Sequence, residues 1–283
     1  MPMTFISYAQ AYNDVLALLP RLPRDLVGVL AIPRSGMLPA YWIATELHLP
    51  LGIVGPNEFF GGGRMRSAHG GLQGVKNRPP GTVLVMDDTT HGGGGIRESR
   101  QLLRSFPAKY KIQFGSLYVS PGAEHLVNYY SRVVPGPRFF EWNIFQSGVI
   151  PNTVMDLDGV LCVDPPVPDR DDPEYQAAIQ NAVPLHLPRI KIGMICTNRL
   201  ERWRGITEDW LRRHGITWGK LVMQTYQTAH ERRAAGDYGR WKAQHYLNSG
   251  CQLFIESSDA QARRIVELAR RPVLSLETKQ LYQ

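Results

Sequence analysis

Two pairs of aspartates carry most of the chemistry open to this chain. Asp87 and Asp88 are adjacent at the end of the apolar run "TVLVMDD" (82–88), and after His91 come four glycines, Gly92, Gly93, Gly94 and Gly95. Asp156 and Asp158 stand two apart in "TVMDLDGVL" (153–161), again just past a short apolar run. Neighbouring carboxylates at a strand end can accept hydrogen bonds from vicinal sugar hydroxyls or hold Mg²⁺ through water. Bare glycine backbone lets N–H groups close around an anion, and a helix opening near Ile96 points its positive end at the same place. The order strand, two acids, glycine turn, helix therefore predicts a bound ribose with a phosphate beside it.

The second pair predicts different work. Spacing of i, i+2 sends both carboxylates to one side of an extended backbone, where they repel and a Mg²⁺ ion would relieve them. The first could attack phosphorus, and the second could protonate the leaving oxygen and later activate water. Calcium loops use similar spacing, but the missing third acid and the following Val160 and Leu161 argue against one.

Both pairs need strands and helices to position them. "LVGVLAI" (26–32), "TVLVMDD" and "IQFGSLYVS" (112–120) read as buried strands, with "GMLPAYWIATEL" and "IRESRQLLRSF" between them at helical spacing. The pattern restarts with strands at 153–161, 190–198, 220–224, 252–258 and 272–277, and with helices in "ERWRGITEDWLRRHGI" and "SDAQARRIVELARR". Gly215 is expected to stop the first of these helices. The expected fold class is α/β: two domains with mostly parallel sheets, 1–148 and 149–283, joined at "FQSGVIPN" (145–152). One glycine-rich, basic segment, 57–81, breaks the alternation and reads as a lid over an active site.

With 283 residues, 43% hydrophobic and 20% charged, the chain reads as globular. It has no apolar run of membrane-span length, and its first ten residues lack the pattern of a secretory leader. Cys162, Cys196 and Cys251 lack metal-ligand spacing and read as buried thiols in a cytoplasmic protein. A net charge of +7 suits phosphorylated small molecules or nucleic acid, but no nucleic-acid-binding signature accompanies it, so nucleic acid is not the expected partner.

The window around Asp87 and Asp88 resembles the PRPP-binding motif of type I phosphoribosyltransferases. "LAIPRSGMLPA" (30–40) resembles that family's pyrophosphate loop. The resemblance, over roughly residues 20–145, implies pyrophosphate contacts from Arg34 and from the backbone of Ser35 and Gly36, with PRPP and a nitrogenous base as substrates and Mg²⁺ as cofactor. It puts a catalytic loop at the lid segment, where Arg64, Arg66 and Lys76 are candidate contacts, and it is compatible with a homodimer. The family's phosphate loop usually carries threonines where this chain has His91 and glycines, which removes hydroxyl donors; the imidazole either replaces them or faces solvent.

The second half resembles the haloacid dehalogenase (HAD) superfamily of phosphohydrolases, over about residues 152–280. That resemblance implies Asp156 as nucleophile, Asp158 as acid/base, Thr197 as phosphate ligand and Lys242 as charge neutraliser, with Lys220 and Arg240 also in the region. Asp156 and Asp158 would hold Mg²⁺ with Glu256 or Asp259, where "ESSD" replaces the family's paired aspartates. The short stretch between Leu161 and the strand at 190–198 leaves room for only a minimal cap. Trp203 and Trp210 read as core. The fusion resembles bacterial phosphoribosyltransferase–HAD proteins associated with tellurite-resistance stress clusters. The expected function is a bifunctional enzyme that transfers a phosphoribosyl group from PRPP to a base and then dephosphorylates the nucleotide product through an aspartyl-phosphate, with PRPP or a nucleoside monophosphate and a nitrogenous base as partners. The rivals are a HAD phosphatase regulated by a non-catalytic PRPP- or nucleotide-binding domain, and a phosphatase acting on nucleic-acid ends.

Overall fold

The structure, a computed structural model, describes residues 3–55 and 78–283. Arg64, Arg66 and Lys76, with most of the expected lid segment, lie outside the described residues. The chain divides into two units, residues 6–138 and residues 1–5 with 139–283.

The division falls at Arg138, earlier than the junction expected near residue 150. "FQSGVIPN" is not a free linker. Ile144 and Ile150 are buried in the core of the second unit, Phe145 and Val149 pack on that core, and Gln146 bonds the backbone of Leu187 and Arg189. Polar Gln, Ser and Asn residues gave the segment the composition of a linker, while the apolar residues between them anchor it.

After a short strand β1 (Thr4–Ile6), helix α1 (Tyr8–Leu18) opens the first unit with Ser7 as its N-cap. There follow β2 (Leu26–Ala31), α2 (Met37–Glu46), β3 (Leu51–Ile53), β4 (Gly81–Thr90), α3 (Gly94–Leu102), β5 (Tyr110–Val119) and β6 (Tyr129–Val133). The sheet order is β3-β2-β4-β5-β6, and every neighbouring pair is parallel. Residues 82–86 of β4 are all buried, which is why this strand reads as an unbroken apolar run and not as an alternation. Between β2 and β4 the chain turns outward in opposite directions, so their carboxyl ends flank the crevice where ligands of open α/β sheets bind.

β7 (Arg138–Phe140) leads into the second unit. Its elements are β8 (Thr153–Met155), α4 (Pro173–Gln180), β9 (Ile192–Leu200), α5 (Arg204–Arg213), β10 (Trp218–Gln224), α6 (Ala229–Ala235), α7 (Tyr238–Leu247), β11 (Leu253–Glu256), α8 (Asp259–Ala269), β12 (Val273–Ser275) and β13 (Gln280–Tyr282). The sheet order is β10-β9-β8-β11-β12-β13, parallel except for β13. The switch of direction falls between β8 and β11, again placing acids at a crevice. Two apolar clusters cover the sheet; Trp203 and Trp210 lie in one of them, and Cys162, Cys196 and Cys251 are buried free thiols. α5 ends as expected, with Gly215 at φ 69°. Among the described residues, no helix is long and apolar enough to cross a membrane.

Candidate functional site

In the first unit, Arg34, Ser35 and Gly36 form the turn from β2 into α2, beside the end of β4. Gly36 is where the two segments meet. A Cβ on it would lie 2.4 Å from the Ile32 carbonyl oxygen, 2.7 Å from that of Met86 and 3.0 Å from the Asp87 Cα. The Met86 and Asp87 atoms are backbone of the neighbouring strand and the Ile32 oxygen is backbone of the turn's own segment, so only glycine lets the turn sit against Asp87. β4 continues two residues past the acids, to Thr90.

The Asp87 carboxylate accepts the backbone N–H of Asp88 at 2.9 Å. Burial, and then repulsion from Asp88, pushes the Asp87 carboxyl up to about 7. Asp88 is buried, which also raises its carboxyl, while hydrogen bonds, including one from Ser35, pull it back. Two crowded carboxylates with hard oxygen donors are a fit environment for Mg²⁺ or for sugar hydroxyls.

The glycine run starts α3 slightly earlier than the sequence predicts, at Gly94. Gly93 has φ 69°, which demands glycine. At Gly92 and Gly94 a Cβ would meet no atom within 4 Å, so packing does not dictate glycine there, and the Gly95 Cβ position is 3.7 Å from the Asp87 carboxylate. Exposed His91 is tied by Nδ1 to the Ser120 hydroxyl at 2.7 Å. Sequence reasoning missed Arg138, which donates to Ser120 Oγ at 2.8 Å and to Thr89 Oγ1 at 2.9 Å, and is drawn electrostatically to Asp88. No local motif marks an arginine so far along the chain from Asp88.

In the second unit, Asp156 follows β8 and Glu256 ends β11. Lys242, fully buried on α7, donates to Asp156 at 2.8 Å and to Glu256 at 2.7 Å. The two carboxylates hold the Lys242 proton firmly, although burial opposes it. Burial, and then repulsion from Glu256, pushes the Asp156 carboxyl upward against the pull of Lys242. Of the other two candidate cations, Lys220 lies on β10 and the exposed Arg240 pairs with Asp237.

Asp158 is bound by Arg199, with Nη2 to Oδ1 at 2.6 Å and Nε to Oδ2 at 3.0 Å. Arg199 also reaches Thr207 and the Cys162 sulfur. Thr197 is buried near the end of β9, its hydroxyl accepting the Arg199 N–H at 3.2 Å. Gly159, at φ 74°, turns the chain where a Cβ would meet Ser257 Cβ at 2.5 Å.

Asp156 and Asp158 line a cavity of about 240 Å³ with Asp164, Asp169, Asn198, Arg232 and Ser257 among its other walls. Asp259 is not part of that lining. Its carboxylate is taken by Tyr282 at 2.6 Å, Arg263 at 2.7 Å and Thr278 at 2.8 Å, and Glu256 is engaged by Lys242. The choice between these two acids for a metal shell therefore leaves neither with a free carboxylate. Among the described residues, no three His, Cys, Asp or Glu side chains are gathered as a metal site. Asp156 with water and substrate oxygens still fits Mg²⁺, which commonly uses one or two carboxylates and substrate phosphates. Asp164 and Arg232 carried no motif; Arg199 could have been found, because it lies two residues after Thr197 on the same strand side.

No family model matches the chain. It is 32% identical to the xanthine-guanine phosphoribosyltransferase of Chromohalobacter salexigens over 152 residues, which is 52% of this chain and 87% of that protein. It is 28% identical over 150 residues to the protein of the same name from Nitratidesulfovibrio vulgaris, covering 88% of it. A solved Helicobacter pylori xanthine-guanine-hypoxanthine phosphoribosyltransferase aligns with a TM-score of 0.40 at 14% identity, over 50% of this chain and 93% of that one.

Proposed function

The chain belongs, through its N-terminal half, to the phosphoribosyltransferase family, and from that premise we propose that it transfers a phosphoribosyl group from PRPP to a purine base and then removes the 5′-phosphate from the nucleotide. The observation that carries the first step is the Gly36 turn pressed against Asp87 at the switch point of the sheet. Arg34 and the Ser35–Gly36 backbone bind the pyrophosphate. Asp87 and Asp88 accept hydrogen bonds from the ribose hydroxyls and stabilise the electron-poor ribose C1 as its bond to the pyrophosphate oxygen breaks and the bond to the base nitrogen forms, intact pyrophosphate leaving and the base nitrogen giving up its proton to water. The N–H groups of the His91–Gly95 loop and the opening turn of α3 hold the 5′-phosphate. When bound, Mg²⁺ supplies neutralisation of phosphate charge in both halves.

In the second half, the contact of Lys242 with both Asp156 and Glu256 supports a HAD-type phosphohydrolase. Asp156 attacks phosphorus, the bond to the ribose 5′-oxygen breaks, and Asp158 supplies the proton that this oxygen takes. Water then attacks the aspartyl-phosphate, returning a proton to Asp158 and releasing phosphate and free Asp156. Lys242 neutralises charge on the nucleophile, and Thr197 is the candidate phosphate ligand.

The loss of threonine hydroxyls from the glycine loop favours a second reading, in which the first half binds PRPP or a nucleotide without turnover and regulates the phosphatase. Product mass spectrometry with PRPP, Mg²⁺ and a purine panel separates the two. The proposal expects a nucleoside from the wild type, a nucleotide from Asp156→Asn and neither from Asp88→Asn. Phosphate release that depends on Asp156, with no purine ribosylated, would sink the transferase step and leave the regulated phosphatase.

A further inference from the structure

Three side-chain amides run in file toward the cavity that contains Asp156. Gln224, buried at the end of β10, donates through Nε2 to Asn198 Oδ1 at 3.2 Å, and Asn198 Nδ2 donates in turn to Gln261 Oε1 at 3.2 Å. Asn198 stands near the end of β9 and Gln261 in the first turn of α8, and both line the cavity. The file has a direction. The Asn198 and Gln261 oxygens are each taken by the NH2 of the amide behind, so turning any one amide over would set NH2 against NH2 or oxygen against oxygen. The Gln261 NH2 is therefore left at the open end. It has no hydrogen-bond partner among the described residues, and Nε2 is not enclosed, because Gln261 is half-buried and faces the cavity.

The other polar walls suit a phosphate poorly. Four of them are carboxylates, Asp156, Asp158, Asp164 and Asp169. The lining guanidinium of Arg232 donates through Nη1 to the Asn198 carbonyl at 2.7 Å and lies 3.5 Å from Asp169. A phosphoryl group on Asp156 brings anionic oxygens among these acids, and a neutral donor already fixed in direction lowers the cost without repelling or neutralising the nucleophile. Building on the reading of Asp156 as nucleophile, we propose that Gln261 is a catalytic residue of the C-terminal half, its NH2 donating to a non-bridging oxygen of the transferring phosphoryl group. Asn198 and Gln224 are positioning residues that fix which end of the Gln261 amide meets that oxygen.

The test uses the full chain with Mg²⁺. It measures kcat/KM for guanosine 5′-monophosphate and phenyl phosphate, and inhibition by orthovanadate, a five-coordinate mimic of the phosphoryl group in transfer. Gln261→Leu removes the donor and is expected to lower kcat/KM about 100-fold on both substrates, mainly through kcat. It should also raise the vanadate inhibition constant at least tenfold while the melting temperature stays near that of the wild type. Asn198→Asp still accepts from Gln224 but now also accepts from Gln261 Nε2, which turns Oε1 toward the phosphate. That variant should lose at least tenfold in kcat/KM, and adding it to Gln261→Leu should cost nothing further. Full turnover in Gln261→Leu, a loss confined to guanosine 5′-monophosphate, unchanged vanadate inhibition or additive losses in the double variant overturns the assignment. Turnover that persists in Asp156→Asn, or none in the wild type, overturns the phosphohydrolase reading, and the assignment falls with it.

Discussion

Arg199 and Asp158 form an ion pair with Nη2 2.6 Å from Oδ1, and the Arg199 side chain is wholly buried. Asp158 holds the Arg199 proton firmly against the opposing effect of burial. A carboxylate that loses its buried guanidinium partner is left with an uncompensated charge. Arg199→Met is therefore expected to cost roughly 3 kcal/mol, at the low end for buried pairs because Asp158 faces the cavity. Adding Asp158→Leu should restore part of that, giving a non-additivity above about 1 kcal/mol in urea melts. Strict additivity would mean that the pair contributes nothing beyond its separate contacts.

Lys242 presents a harsher version of the same physics, because one ammonium serves two buried carboxylates, Asp156 and Glu256. Lys242→Met should destabilise the second unit by roughly 3–5 kcal/mol and abolish phosphate release. The double variant Lys242→Met/Glu256→Leu should recover much of the stability but none of the activity. Denaturation and turnover measured side by side check this; recovered activity would remove Lys242 from the chemistry.

Much of this organisation was legible because parallel strands buried on both faces leave apolar runs, and the acids stand at the ends of those runs. β4 with Asp87 and Asp88, and β8 with Asp156, are such cases. Short strands with half-exposed residues, such as β3 and β6, carry no comparable signal. The site residues that escaped were partners assembled by tertiary structure. Arg138 lies beside Ser120 and Thr89 only after β4 and β5 pair, and Arg232 meets Asn198 only when α6 packs at the end of β9. Asp259 misled for a local reason: its place beside "ESS" suggested a metal ligand, but one helical turn aims it at Arg263 and at the C-terminal strand.

The glycines around the first site separate into two kinds. Gly36→Ala would drive a methyl into the Ile32 and Met86 carbonyl oxygens, at 2.4 and 2.7 Å. Backbone atoms of a central strand yield little, so a loss of roughly 1–3 kcal/mol and at least a tenfold loss of PRPP affinity are expected. At Gly92 the added methyl meets nothing within 4 Å. Gly92→Ala should leave stability within about 0.5 kcal/mol of wild type while weakening PRPP binding. Thermal melts and PRPP titration of both variants check the contrast; equal stability losses would refute it.

Asp87 makes the stability of the first unit depend on pH in a direction opposite to that of a salt-bridged carboxylate. Its carboxyl is pushed up to about 7 by burial and by Asp88. Below the unfolded value near 4, both folded and unfolded states keep the proton and nothing changes. As pH rises from there, the unfolded chain releases the proton first, so stability falls until the folded group also ionises near 7, and then levels off. The shift corresponds to about 2–4 kcal/mol across that window. The ligand-free protein should therefore melt lower at pH 7.5 than at pH 5 in the transition assigned to this unit. Asp87→Asn should flatten that slope and raise the melting temperature at pH 7.5. Mg²⁺ with PRPP should stabilise the wild type at pH 7.5 and do little for the variant. A slope unchanged by Asp87→Asn would show that other groups carry the pH dependence.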